Sequence, residues 1–254
     1  MLTLIVPTYN EGENVSILTE AVRITMERAS VWEYEILFID DSTDSTPERL
    51  SRLSQKHSFV RFLHRDEERG LGTAITLGFK EARGGVLAVI DGDLQHPPKL
   101  LPLMLSLIAK GYDLVLPSRF IAGGGDGGLS PSRKIVSLTA RYMAKILFRR
   151  VRGISDPTGG YFMMKRDVID EIDFDATSWK ILIEILVKGR YTRVAEVPYF
   201  FHARELGVSK LSATAQFDYV RHLKILFSFR ETVPIGSFGS KVSYKDAEID
   251  HIVL

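Results

Sequence analysis

The first 120 residues alternate between two hydrophobic periods, and that alternation restricts the fold more than any other feature. LTLIVPT (2–8), YEILFID (34–40), FVRFLH (59–64), GVLAVID (85–91) and DLVLPSR (113–119) are short apolar runs with β-branched content, bounded by turn formers. Between them Val15–Ala29, Pro47–His57, Gly72–Ala82 and Pro98–Lys110 carry helical spacing. Continuous apolar strands separated by helices predict an α/β fold with a mostly parallel sheet covered on both faces. Right-handed crossovers then bring the functional loops to the carboxyl ends of the strands. Three clusters fall at those ends: PTYNE, DDSTDST and DGDLQ.

The second half is less regular. IAGGGDGGLSPS (121–132) has too many glycines for fixed structure without a ligand and reads as a mobile loop. Residues 133–150 predict a helix with Ser137, Arg141, Lys145 and Arg149 at i, i+4 steps opposite an apolar face. The segment YFMMK (161–165), a helix near Lys180–Gly189, a strand near Thr192–Pro198 and an amphipathic stretch over 217–230 follow. No repeat or linker is visible, so one domain with C-terminal additions is expected.

At 254 residues, 45% hydrophobic and 26% charged, the chain has ordinary globular composition. A net charge of +1 gives no field of the kind that advertises nucleic-acid binding. Cysteine is absent, which removes disulfide and thiol chemistry and suits a reducing compartment. MLTLIVPTYN reads as a strand and not as a signal peptide, and no apolar run approaches the roughly 20 residues of a membrane span. The expectation is a cytoplasmic protein able to lie on a membrane surface.

DGDLQHPPKL places two carboxylates and an amide at the tip of an apolar strand. Acids there need a cationic partner, because buried charges persist only when paired or bound to metal. Asp91, Asp93 and Gln95 stand two positions apart and would project to one side if strand geometry continued. Their oxygens suit a hard cation such as Mg²⁺ or Mn²⁺, which commonly bridges carboxylate to substrate phosphate. The competing role is capping of the helix that starts at Pro97 or Pro98. Asp44 fits a helix cap, whereas Asp41 fits either a cap or an acceptor for ribose or base. Asn10 and Glu11 suit either the start of a helix or, with Tyr9, a nucleobase site. His96 reads as a turn residue. Arg119, Arg133, Arg204, Ser209 and Lys210 are ordinary surface groups singly, but together with an acidic site they could cradle phosphates.

PTYNE, DDSTDS, DGDLQHPP, SRF (118–120), DPTGGYFMMKRDV and RELGVSKL occur in the order found in polyprenyl-phosphate mannosyltransferases. Over residues 2 to about 230 the chain therefore resembles that branch of glycosyltransferase family 2, whose fold is GT-A. The resemblance implies a nucleotide-sugar pocket built from Pro7, Tyr9, Glu11, Ile39, Asp41, Asp91, Gly92, Asp93, Gln95, Lys180, Arg204 and Lys210. It further implies metal ligation by Asp93 and Gln95, and acceptor-phosphate binding by Arg119, Arg133 and Ser137. Asp91, Asp93, Arg119 and Arg133 are the implied catalytic set. Gly92 stands where alanine is common, and GGGDGG replaces a loop that often carries an aromatic. Many relatives continue into membrane helices, which are not expected here.

The family chemistry is inverting transfer of mannose from GDP-mannose to a polyprenyl (dolichyl) monophosphate with Mg²⁺ or Mn²⁺. Residues 1–120 would form the donor half and 121–230 the acceptor half, with a tail of unassigned role at 231–254. The helices over 133–150 and 217–230 would either rest on the cytoplasmic face of a bilayer or pack on the core. A separate membrane-anchoring subunit is a further expectation. The alternatives are a transferase using a UDP-sugar or another acceptor, a receiver-type signalling module, or a nucleotide-binding scaffold without turnover.

Overall fold

The computed structural model describes residues 1–67, 70–127, 131–175, 180–201 and 213–229, with backbone alone for 131–133 and 213–216. The element order is β1 (Leu2–Thr8), α1 (Gly12–Arg28), β2 (Tyr34–Asp40), α2 (Thr46–Lys56), β3 (Val60–His64), α3 (Leu71–Glu81), β4 (Val86–Val89), α4 (Leu101–Ala109) and β5 (Leu114–Ser118). Then come α5 (Pro131–Leu147), β6 (Phe162–Lys165), α6 (Ile181–Lys188), β7 (Val194–Pro198) and α7 (Ala213–Ser228). The strands form one seven-stranded sheet in the order β3-β2-β1-β4-β6-β5-β7.

Strand residues alternate between two cores because successive side chains leave opposite faces. Ile5, Leu37, Ile39, Leu87 and Val89 face the core covered by α3, α5, α6 and α7. Leu4, Val6, Ile36, Phe38 and Ala88 face the one covered by α1 and α4. The sheet is parallel as the sequence predicts, except at β6. Phe162 pairs with Val89 and Lys165 with Val86 in antiparallel register, and β6 also runs antiparallel to β5.

The chain winds outward from β1 through β2 to β3, then crosses back to place β4 on the other side of β1. Ligand crevices in open α/β sheets lie outside the carboxyl ends of strands at such a reversal. The segments after β1 and β4, PTYNE and DGDLQ, flank it.

The glycine-rich segment is described over residues 121–127. There Gly125 donates its N–H to the Tyr199 carbonyl at 3.0 Å and accepts from the Phe201 N–H at 2.9 Å. A Cβ on Gly124 would come within 2.5 Å of the Ser118 carbonyl oxygen, so glycine is what lets the two backbones approach. Residues 128–130 lie outside the described residues.

Candidate active site

The loops after β1 and β2 are laced together by short polar side chains. Asn10 adopts φ 55°, a left-handed conformation that asparagine tolerates. Its N–H donates to Ser42 Oγ at 2.8 Å, and its side-chain oxygen accepts the Thr43 N–H at 2.9 Å. Asp40 is fully buried; Oδ1 accepts from Thr8 Oγ1 at 2.7 Å and Ser42 Oγ at 2.5 Å, while Oδ2 meets His64 Nδ1 at 2.7 Å. Asp41 forms a bidentate pair with Arg65, both contacts at 2.6 Å, and accepts the Gly70 N–H at 3.0 Å. Asp44 accepts from the Thr46 N–H at 2.9 Å and so serves the start of α2.

Around this lacing the expected donor-pocket residues divide. Tyr9 is exposed just past the β1 terminus, and Glu11 accepts from Asn14 Nδ2 at 2.5 Å while its N–H donates to Thr46 Oγ1. Pro7 and Ile39 are buried opposite each other across the β1–β2 ladder, with Ile39 facing the core.

The acidic stretch after β4 does not continue as a strand. β4 ends at Val89 and Leu94 takes φ 63°, so the segment folds into successive turns. The alternation expected of Asp91, Asp93 and Gln95 is therefore lost, and their backbone follows turns in place of a strand. Asp93 Oδ1 accepts the Gln95 N–H at 3.1 Å. Neither acid caps the 3₁₀ turn at Pro98–Leu100, which has no side-chain cap.

His96 is buried in a cage of Tyr161, Tyr199 and Phe201, with ring centroids at 5.4, 5.6 and 5.4 Å. From that cage its Nε2 meets Asp91 Oδ2 at 3.1 Å. Gly92 is buried against Thr8, where a Cβ would stand 3.2 Å from the methyl carbon. Beside Asp91 a second glycine allows close packing: a Cβ on Gly160 would come within 2.9 Å of Asp91 Oδ2.

The candidate donors of this loop are oxygen alone, from two carboxylates and an amide. That suits a hard divalent ion which binds through one or two carboxylates and completes its shell with water and substrate phosphate. Among the described residues, no group of three or more acidic or imidazole side chains forms an all-protein cage.

Arg119 follows β5 and lies inside the protein at 8% side-chain exposure. Asp156, fully buried, accepts from its Nε at 2.7 Å and its Nη2 at 3.1 Å. Burial opposes the Arg119 charge, but the Asp156 carboxylate outweighs it and the pKa is raised above the ordinary arginine value. Nη2 also reaches Ser137 Oγ on α5 at 3.4 Å. Lys180 donates to the Thr158 carbonyl at 2.6 Å and so braces the same loop. Burial raises the hydroxyl pKa values of Tyr161 and Tyr199 and keeps both neutral at neutral pH.

The five-residue stretch 156–160 thus touches both centres, pairing Asp156 with Arg119 and setting Gly160 against Asp91. Arg133 lies in the first turn of α5, but its side chain is outside the described residues, as are Arg204, Ser209 and Lys210 in RELGVSKL and the tail over 231–254. Sequence reasoning did not assign roles to Asp156, Gly160 or Arg65, and read His96 as a turn residue where the structure buries it among aromatic rings against Asp91. DPTGG was visible as a motif, yet nothing local indicates that its aspartate meets an arginine 37 positions earlier.

Residues 3–173 match the model of glycosyl transferase family 2. A dolichol-phosphate mannosyltransferase from Pyrococcus furiosus is 38% identical over 87% of this chain, which spans 62% of that protein's length. A dolichol-phosphate mannosyltransferase from Saccharomyces cerevisiae is 34% identical over 90% of this chain and 87% of its own. A solved mannosyltransferase from Pyrobaculum calidifontis, in complex with GDP-Man and Mn²⁺, shares the fold at 16% identity and a TM-score of 0.54, over 89% of this chain and 62% of its own. With the sheet order, its reversal at β1 and the acidic loop after β4, these similarities place the chain in glycosyl transferase family 2, with a GT-A fold, in the branch of the dolichol-phosphate mannosyltransferases.

Proposed function

We propose that this protein transfers mannose from GDP-mannose to the phosphate of a polyprenyl (dolichyl) monophosphate, with inversion at the anomeric carbon. The carrying observation is the 156–160 stretch, which sets a buried, permanently charged arginine next to an oxygen-rich acidic loop. One centre suits the phosphate of an acceptor and the other the diphosphate of a sugar nucleotide. The names of the Pyrococcus and Saccharomyces relatives support the acceptor, and the GDP-Man complex of the Pyrobaculum enzyme supports the donor.

The chemistry asks little of the protein in proton transfer. An acceptor monoester with a second pKa of about 6 is largely dianionic at neutral pH and is its own nucleophile. Arg119, held by Asp156, orients it with Ser137 and Arg133. Its oxygen forms the new bond to the anomeric carbon as the bond to the diphosphate breaks, and GDP departs with the electron pair. Asp93 and Gln95 would hold Mg²⁺ or Mn²⁺, which when bound neutralises charge on the leaving diphosphate. Arg204 and Lys210 add cationic charge there. Pro7, Tyr9, Glu11, Ile39 and Asp41 form the nucleoside end, and Lys180 supports the rim. Residues 1–120 form the donor half, residues 121–230 the acceptor half.

Among the described residues, no helix is long and apolar enough to cross a membrane. On α5, however, Ile135, Tyr142 and Ile146 are 66%, 55% and 71% exposed and align with Leu138 in one apolar stripe. On α7, Tyr219, Leu223 and Leu226 pack on the core while Phe217 and Phe227 remain outward. The outward residues make a surface for the cytoplasmic face of a bilayer, in which a lipid acceptor resides, and an anchoring subunit would act beside it.

The direct test is transfer of mannose from GDP-mannose to a short polyprenyl phosphate, with and without EDTA, alongside UDP-glucose and UDP-N-acetylglucosamine. Metal-dependent transfer from GDP-mannose alone is expected. Preference for a UDP-sugar would replace the donor assignment, and GDP binding without turnover on any acceptor would reject the reaction. Flotation with anionic vesicles, lost on Ile135→Asp with Ile146→Asp, tests the membrane surface.

A further inference from the structure

We propose that Arg141 is an additional acceptor-binding residue, an outer station that takes the lipid's phosphate at the seam between the apolar stripe of α5 and the Arg119 pocket. This rests on the reading of the acceptor as a prenyl phosphate. Arg133, Ser137 and Arg141 stand at i, i+4 and i+8 on α5 and so share one face of the helix. Ser137 meets Arg119, and the Arg141 and Arg119 guanidinium carbons lie 4.4 and 5.1 Å from the same Phe120 ring centroid.

The two arginines differ in what balances them. Arg119 is answered by Asp156, whereas Arg141 has no carboxylate within 4.0 Å among the described residues. Its Nε is buried and makes no hydrogen bond. Buried donors are almost always satisfied, so this guanidinium holds hydrogen-bonding capacity that the protein itself leaves unused. Cation–π stacking on Phe120 holds the guanidinium in place without consuming its N–H groups.

The chemistry of that partner follows from the other side of the residue. Arg141 lies 5.3 Å from the ring centroid of Tyr142, which is half-exposed and belongs, with Leu138, to the apolar stripe. An anion joined to a hydrocarbon satisfies both surfaces at once. A free inorganic anion would satisfy only the cation.

The test compares wild type with Arg141→Met, which keeps the packing volume and loses the charge, and Arg141→Lys, which keeps the charge. Binding of a short prenyl phosphate is measured by calorimetry without donor, next to farnesol and inorganic phosphate, and steady-state kinetics are measured for both substrates. Arg141→Met is expected to weaken prenyl-phosphate binding and raise its KM by about 10-fold or more, as for loss of a charged hydrogen bond. GDP-mannose KM and GDP binding should stay within about twofold, also serving as the fold control, and Arg141→Lys should recover part of the loss. Wild-type farnesol and inorganic phosphate should each bind more weakly than prenyl phosphate. Unchanged acceptor binding and KM in Arg141→Met overturns the proposal alone, as does equal binding of inorganic phosphate. Failure of wild type to bind prenyl phosphate overturns it together with the acceptor assignment.

Discussion

Asp93 and His96 stand three positions apart and act on the acidic loop in different ways. Asp93 is a candidate ligand whose carboxylate also holds its own turn through the Gln95 N–H. Asp93→Ala is expected to lower transfer by about 10²–10³-fold, the scale of losing one directed electrostatic contact. Circular dichroism should be unchanged. His96 touches no substrate in this scheme and is a positioning residue: three aromatic rings fix it, and it fixes Asp91. Asp91 precedes the candidate ligands Asp93 and Gln95 on the same loop, and supporting contacts of this kind are worth about 10–100-fold in metal affinity or activity. For His96→Ala the metal concentration at half-maximal transfer should rise accordingly while acceptor KM holds. A metal titration that overlays wild type would assign His96 to packing alone.

At the scale of elements, close approaches position the crevice. α3 packs so tightly on β1 that a Cβ on Gly78 would lie 2.4 Å from Ile5 Cγ2 in the core. Gly78→Ala gains helix propensity but must displace a branched core side chain on the strand that carries PTYNE. Overpacking of that kind costs about 1–3 kcal/mol, so chemical denaturation should show a net loss of stability. β6 is the other element-level determinant. Running antiparallel between β4 and β5, it delivers the 156–160 stretch to the same edge as the β4 loop. Its residues, FMMK, would have suited either direction equally.

Across the whole molecule, buried and half-buried carboxylates tie distant parts together. Asp113 accepts from Lys165 Nζ at 2.8 Å and from the Thr192 and Arg193 N–H groups at 2.8 and 2.9 Å, joining β5, β6 and β7. Burial would raise its pKa, but these donors outweigh it and hold it at about 2 against an ordinary 3.8. Glu35 is likewise lowered: Arg61, the Arg83 N–H and Thr3 overcome its burial. In Glu184, His222 and Lys188 overcome the burial. Groups depressed on folding contribute stability above their unfolded pKa and lose it as pH falls toward the folded one. Unfolding free energy should therefore decline from about pH 4 downward, and Asp113→Asn should flatten the part between about 4 and 2. Acid titrations followed by fluorescence measure both slopes, and an unchanged slope in the variant would remove Asp113 from this account.

The strands, most helices and the positions of PTYNE, DDSTDS and DGDLQ followed from the sequence, because apolar period and turn residues act over a few neighbours. Their gathering at one edge followed too, since crossover handedness leaves a parallel sheet little choice. What the chain alone did not determine is how the charges are answered. Asp41 meets Arg65 across 24 positions and Arg119 meets Asp156 across 37, pairs that exist only once β2, β3, β5 and the loop before β6 are packed. In the glycine segment, Gly125 exchanges backbone bonds with residues 199 and 201. Local propensity carries no information about such partners. They are selected by the cost of burying an unpaired charge or amide, a cost that arises only when tertiary packing excludes water.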